Sequence, residues 1–75
     1  MKIVSINKEP VQLYKILKFE NLVESGGVAK SVISDGLVKV NGSVETRKRK
    51  KIISGDIIVF NGEKLCVNFT MNKGN

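Results

Sequence analysis

The sequence predicts an α+β fold, with two N-terminal helices packed on a small, mostly antiparallel sheet. Three observations carry that expectation. The chain opens on a short β-branched run, Lys2 to Ile6. Two stretches then place apolar residues at helical spacing, and two Asn-Gly pairs, Asn41-Gly42 and Asn61-Gly62, separate apolar runs further on.

"KIVSI" reads as the first strand, because β-branched side chains suit a pleated, half-buried surface. "NKEP" breaks it. Pro10 suits the first turn of a helix, where its missing N–H costs nothing, so the first helix is expected from Pro10 to Phe19. At about 100° per residue, Leu13, Tyr14, Ile16 and Leu17 fall on one side, with Lys15 and Lys18 opposite. "NLVESGG" is a turn. Ser25 is a good N-cap, since its hydroxyl can accept from an exposed backbone N–H. The second helix then runs from Gly26 or Gly27 to Asp35, with Gly36 as its stop. Val28, Ala29, Val32 and Ile33 form its apolar face, and Lys30 and Ser34 project away. A glycine pair costs a helix about 1 kcal/mol per residue against alanine. Its presence at a helix start points to close packing or to the close approach of a ligand.

Asn41-Gly42 is a hairpin turn, since both residues accept positive φ. A basic window follows, then a Gly55-Asp56 turn, a strand Ile57 to Phe60, the Asn61-Gly62 turn and a strand Lys64 to Phe69. In that last strand Leu65, Val67 and Phe69 alternate with Cys66 and Asn68. Residues 1–70 are expected to form one domain and 71–75 a frayed tail.

A chain of 75 residues has no room for a separate catalytic domain and buries only about 60% of its unfolded surface. The hydrophobic fraction of 41% is enough for a compact core. Net charge is +6 and the pI is about 9.7, a balance that favours an anionic partner. The lone Cys66 cannot form an internal disulfide or build a zinc site, and there is no histidine to help it. The seven carboxylates show no catalytic motif, so neither enzyme activity, small-molecule substrate, cofactor nor metal is expected. The start of the chain is too short in apolar residues for a signal peptide. No apolar run approaches the about 20 residues that span a bilayer. A cytoplasmic protein without membrane attachment is the expectation.

The positive charge is concentrated in "ETRKRKK", Glu45 to Lys51. Such a run repels itself and needs water, counterions or an anionic partner. It is either a solvated, mobile loop or a phosphate site. Arg47 and Arg49 offer planar forks that grip phosphate bidentately, and Lys48, Lys50 and Lys51 offer mobile point charges. Ser25-Gly26-Gly27 is a second candidate, because free N–H groups and the positive end of a helix dipole favour phosphate; an ordinary cap and tight turn is the plainer reading. The spacing matches neither a Walker nor a Rossmann motif. Asn41 is first a turn residue and secondarily a contact. Asp56 is structural. Tyr14, Phe19, Phe60 and Phe69 lie on or near apolar faces and are expected in the core. Recognition of backbone and shape is therefore expected over base stacking on single strands.

In order, the chain shows "ILK" ending a helix, "SGGVAKSVISDGLVKVNG" from Ser25 to Gly42, a basic stretch containing Glu-x-Arg, and "SGD" from Ser54 to Asp56. This pattern resembles the S-four-type RNA-binding domain, also called the alpha-L motif, and within it the short stand-alone bacterial YaaA/YbcJ-like family. The resemblance covers about residues 8 to 60. It implies an RNA surface on the two helices and adjoining loops, made by Lys18, Ser25, Gly26, Gly27, Lys30, Asn41, Arg47, Lys48, Arg49, Lys50 and Lys51. It also implies structured RNA as partner, ribosomal RNA first, with the ribosome or a ribosomal subunit as the setting and a monomer as the acting species. Many members inside larger RNA enzymes carry Ser-Arg where this chain has Ser25-Gly26. The residues alone leave DNA binding and a protein- or ribosome-interaction role open beside RNA.

Overall fold

The computed structural model describes residues 1–70; the tail expected over 71–75 lies outside the described residues. The elements run β1 (Lys2–Ile6), β2 (Val11–Gln12), α1 (Leu13–Phe19), α2 (Gly26–Ser34), β3 (Val38–Val40), β4 (Ser43–Val44), β5 (Lys51–Ile52), β6 (Ile57–Phe60) and β7 (Glu63–Phe69). The main sheet has the order β1-β7-β6-β3-β4. Its β7–β6, β6–β3 and β3–β4 pairings are antiparallel, and β1 lies parallel to β7. The α+β architecture is the one the sequence predicts.

Both Asn-Gly turns form. Asn41 and Gly42 take φ of 53° and 87°, and Asn61 and Gly62 take 54° and 79°, the doubly positive pair that matches the twist of a two-residue hairpin. The caps of α2 also follow the sequence. Ser25 Oγ accepts from the Val28 N–H at 3.2 Å. At the other end Gly36, at φ 78°, and Leu37 donate back to Ile33 and Val32, the paired bonds of a Schellman stop.

The first helix differs from expectation. It begins at Leu13 rather than Pro10, because Val11 and Gln12 are drawn into a strand pair with Ile52 and Lys51. Gln12 provides no side-chain cap. The leading amides of α1 are satisfied instead by the chain ahead of β5: Leu13 N–H donates to the Lys50 carbonyl at 2.9 Å and Tyr14 N–H to that of Lys48 at 3.1 Å.

One continuous core joins the helices to the sheet. Leu13, Ile16 and Leu17 of α1 and Ala29 and Ile33 of α2 meet Val4, Val38, Ile52, Ile58, Leu65 and Val67. Truncating any fully buried leucine or isoleucine here to alanine should cost about 2–5 kcal/mol, a large share of the stability of a domain this small. Two apolar side chains expected inside lie outside. Val28 is 41% exposed, because Ala29 and Ile33 take the inward side of α2. Phe19 is 64% exposed. It stands two residues past the buried Leu17, about 200° around the helix.

Candidate nucleic-acid interface

The basic window is held in place by its backbone. Lys48 and Lys50 lend their carbonyls to the start of α1, Lys50 N–H donates to the Arg47 carbonyl at 3.1 Å, and Lys51 is part of β5. Two carbonyls thus face α1 and a third closes a turn within the window, while the side chains of Lys48, Arg49 and Lys51 remain exposed and that of Lys50 is half-buried. Arg47, Arg49, Lys50 and Lys51 line a shallow concavity of about 370 Å³. Like charges around one depression repel each other and raise its affinity for an anion.

Arg47 differs from its neighbours. Its guanidinium donates from Nε to Glu45 Oε2 at 2.7 Å and from Nη2 to Oε1 at 3.2 Å, and its backbone N–H adds a third bond to Oε2 at 3.1 Å. These bonds hold the Glu45 carboxyl below its ordinary range, the Arg47 side chain acting first, and push the Arg47 pKa up. Among the described residues the only other ion pair is Lys2–Glu20 at 3.3 Å. Lys18, Lys30, Lys48, Arg49, Lys50 and Lys51 therefore have no carboxylate partner among those residues. The Glu-x-Arg spacing was the sequence signal for this internal counterion.

Tyr14 connects the window to α2. Its backbone is bonded to Lys48, its ring lies 4.8 Å from Lys30 Nζ, and a Cβ placed on Gly26 would stand 3.7 Å from the ring. Half-buried rather than part of the buried core, Tyr14 brings the basic window, the start of α2 and Lys30 onto one surface. Lys18, four residues on, stands on the same flank of α1. Periodicity alone placed Tyr14 among the core residues, and nothing in its spacing announced the contact with Lys30.

At the start of α2, Gly26 packs on Tyr14, whereas a Cβ on Gly27 would meet only Ser25 Oγ, at 3.8 Å. Packing therefore accounts for neither a missing side chain at Gly27 nor its cost to the helix. Asn41 sits apart, on the β3–β4 hairpin. Its carboxamide donates to Asp56 Oδ1 and accepts from the Ile57 N–H, both at 2.9 Å, while Asp56 Oδ2 accepts from the Ile53 N–H at 2.9 Å. Asp56 is structural, as its turn position suggested. No group of three or more metal-ligating side chains occurs among the described residues, and no helix there is long and apolar enough to cross a membrane.

A family model described as "S4 domain" matches residues 4–68. The "Putative RNA-binding protein YbcJ" of Escherichia coli (strain K12) is 47% identical over 68 residues, which cover 89% of this chain and 97% of that protein. The "Probable ribosome maturation protein RlbA" of Bacillus subtilis (strain 168) is 34% identical over 59 residues, 79% of this chain and 83% of that one. The solution structure of YbcJ from E. coli, described as revealing an alpha-L motif involved in RNA binding, superposes with a TM-score of 0.70 at 46% identity, over 91% of this chain and 87% of that one. The 30S ribosomal protein S4e of Thermoplasma acidophilum superposes with a TM-score of 0.63 at 29% identity, over 76% of this chain and 30% of that one.

Proposed function

The chain belongs to the S4 domain family, and from that premise we propose that it is an RNA-binding protein that grips structured RNA, ribosomal RNA first, through its basic helix–loop surface. The observation that carries this reading is the backbone-anchored window 48–51, whose cations have no carboxylate partner among the described residues. Lys48, Arg49, Lys50 and Lys51 bind phosphates, with Arg47 held in reserve by Glu45. Lys18 and Lys30 extend the charge along the helices. Ser25, Gly26 and Gly27 present the N–H groups of the start of α2 to a further phosphate. Asn41, on the β3–β4 hairpin apart from these groups, contributes by fixing that hairpin through Asp56 and the Ile57 N–H. Residues 1–70 act as a single RNA-binding domain.

The mechanism is electrostatic and geometric. Cations displace counterions from the RNA backbone, and the surface that runs from the window through Tyr14 to α2 matches its shape. If about four to six phosphates are neutralised, the log–log salt slope is on the order of −3 to −5. We place the protein in the cytoplasm, acting as a monomer on a ribosome or ribosomal subunit; the name of the Bacillus relative supports that setting.

The test compares wild type with a variant carrying glutamine at positions 47–51, on ribosomal RNA fragments, hairpin RNA and duplex DNA at two salt concentrations, with circular dichroism confirming both folds. Loss of salt-sensitive RNA binding in a folded variant supports the reading. Equal binding by both proteins, or preference for duplex DNA, refutes it.

A further inference from the structure

On the other flank of α1 lies a second feature. An open groove of about 610 Å³ runs between the ends of β1 and β7 and the first turns of α1, within the about 300–1,000 Å³ typical of small-ligand sites. Pro10, Val11 and the exposed ring of Phe19 give it apolar surface; Lys8, Lys15 and Gln12 give it charge and hydrogen bonds. None of its lining residues is an aspartate or glutamate. Lys15 and Phe19 are four apart and so neighbours on one helix flank. A groove lined by an exposed planar ring and two cations, with no carboxylate in its lining, suits a ligand that is itself planar and negatively charged.

One strand pair links the groove to the surface described above. Gln12 pairs with Lys51 across the β2–β5 ladder, so the residue that lines the groove and the last residue of the basic window are strand partners. Lys15 follows directly on Tyr14 in α1. A nucleic-acid strand leaving the basic window would meet this groove next.

We propose that the groove receives an unpaired nucleotide of the bound RNA, its base stacked on Phe19 and its phosphate held by Lys15 and Lys8. The inference rests on the RNA reading above and adds to it a preference for a helix flanked by single-stranded residues. It also changes the expected mode of recognition, since the core position anticipated for Phe19 would have excluded stacking.

The experiment uses three RNAs: a blunt hairpin, the same hairpin with a short unpaired adenosine extension, and the same hairpin with an abasic extension, which keeps the phosphates and removes the bases. Wild type should bind the adenosine form about tenfold more tightly than the abasic one, a typical stacking effect. Phe19→Ala should erase that difference while binding the blunt hairpin as wild type does, and Phe19→Trp should retain it. Lys15→Gln should reduce the gain that the abasic extension itself provides. Because Phe19 is largely exposed, the variants are expected to fold, which circular dichroism checks. Equal affinity of wild type for the adenosine and abasic forms, or a Phe19→Ala variant that still discriminates them, overturns the proposal and leaves the groove to a protein partner. In either case the RNA reading survives if the blunt hairpin is still bound with steep salt dependence. Absence of binding to all three RNAs removes both.

Discussion

Glu45 clasps Arg47 through both carboxylate oxygens, at 2.7 and 3.2 Å, inside the most basic stretch of the chain. The pair is exposed on the arginine side, where 71% of the side chain faces solvent, so its contribution to folding is small. Its effect on binding should be larger, because it takes one guanidinium from the set that the proposed interface offers to phosphate. Glu45→Ala should release Arg47 and delete a negative charge. RNA affinity then rises severalfold at low salt and the salt slope steepens by about one. Filter binding across a salt series checks this; an unchanged slope would mean that Arg47 never reaches the RNA.

The same pair sets a pH dependence. Arg47 holds the folded-state pKa of Glu45 below its ordinary value. A carboxyl depressed in this way adds stability above its unfolded pKa and loses it as pH falls through the lower folded value. The pair should therefore be intact throughout the neutral range and open only in acid. NMR titration of the Glu45 side chain should give a lower midpoint in wild type than in Arg47→Ala, and coincident midpoints would show that the clasp does not persist in solution.

Arg47 and Arg49 should differ on the same grounds. Arg49 is exposed and without a carboxylate partner among the described residues, so Arg49→Gln should reduce the magnitude of the salt slope by about 0.7–0.9. Arg47→Gln should change it less, since that guanidinium is already neutralised. Equal losses would contradict the assignment of Arg47 to reserve.

The Asn41–Asp56 connection gives a stability prediction. Asn41→Gly keeps the positive φ of 53° but removes the bonds to Asp56 and to the Ile57 N–H. Unfolding free energy should fall by about 1–2 kcal/mol, read from urea denaturation. Asn41→Ala should cost more, because alanine also resists positive φ. If the two variants are equally stable, backbone strain at residue 41 is negligible.

Local chemistry made much of this fold legible. The doubly positive Asn-Gly turns, the Ser25 cap and the Gly36 stop each depend on residues within a few positions of one another, and all form. Features set by distant partners were not legible. A two-residue pairing of Val11-Gln12 with Lys51-Ile52 carries almost no periodic signal, yet it moves the start of α1 to Leu13 and anchors the basic window. The Asn41–Asp56 bond spans fifteen positions, so the turn could be read from Asn41 while its second partner could not. Helical spacing put Tyr14 and Phe19 near the apolar side of α1, but a seven-residue helix buries only its central stripe, and both rings fall at its margins.

Gly27 separates stability from binding. In the free protein a methyl group at this position meets nothing closer than Ser25 Oγ, at 3.8 Å, and the residue is exposed. Alanine is also the better helix former, by up to about 1 kcal/mol. Gly27→Ala should therefore leave the protein as stable as wild type or slightly more so. If a phosphate approaches the amides at the start of α2, the same methyl group obstructs it, and RNA affinity should fall severalfold. The salt slope should change by no more than one contact, because every cation remains. Thermal denaturation and RNA titration of the one variant read the two effects separately. A variant that is more stable and binds RNA as wild type does would remove the start of α2 from the interface, leaving the phosphate contacts to the window and the lysines of the helices.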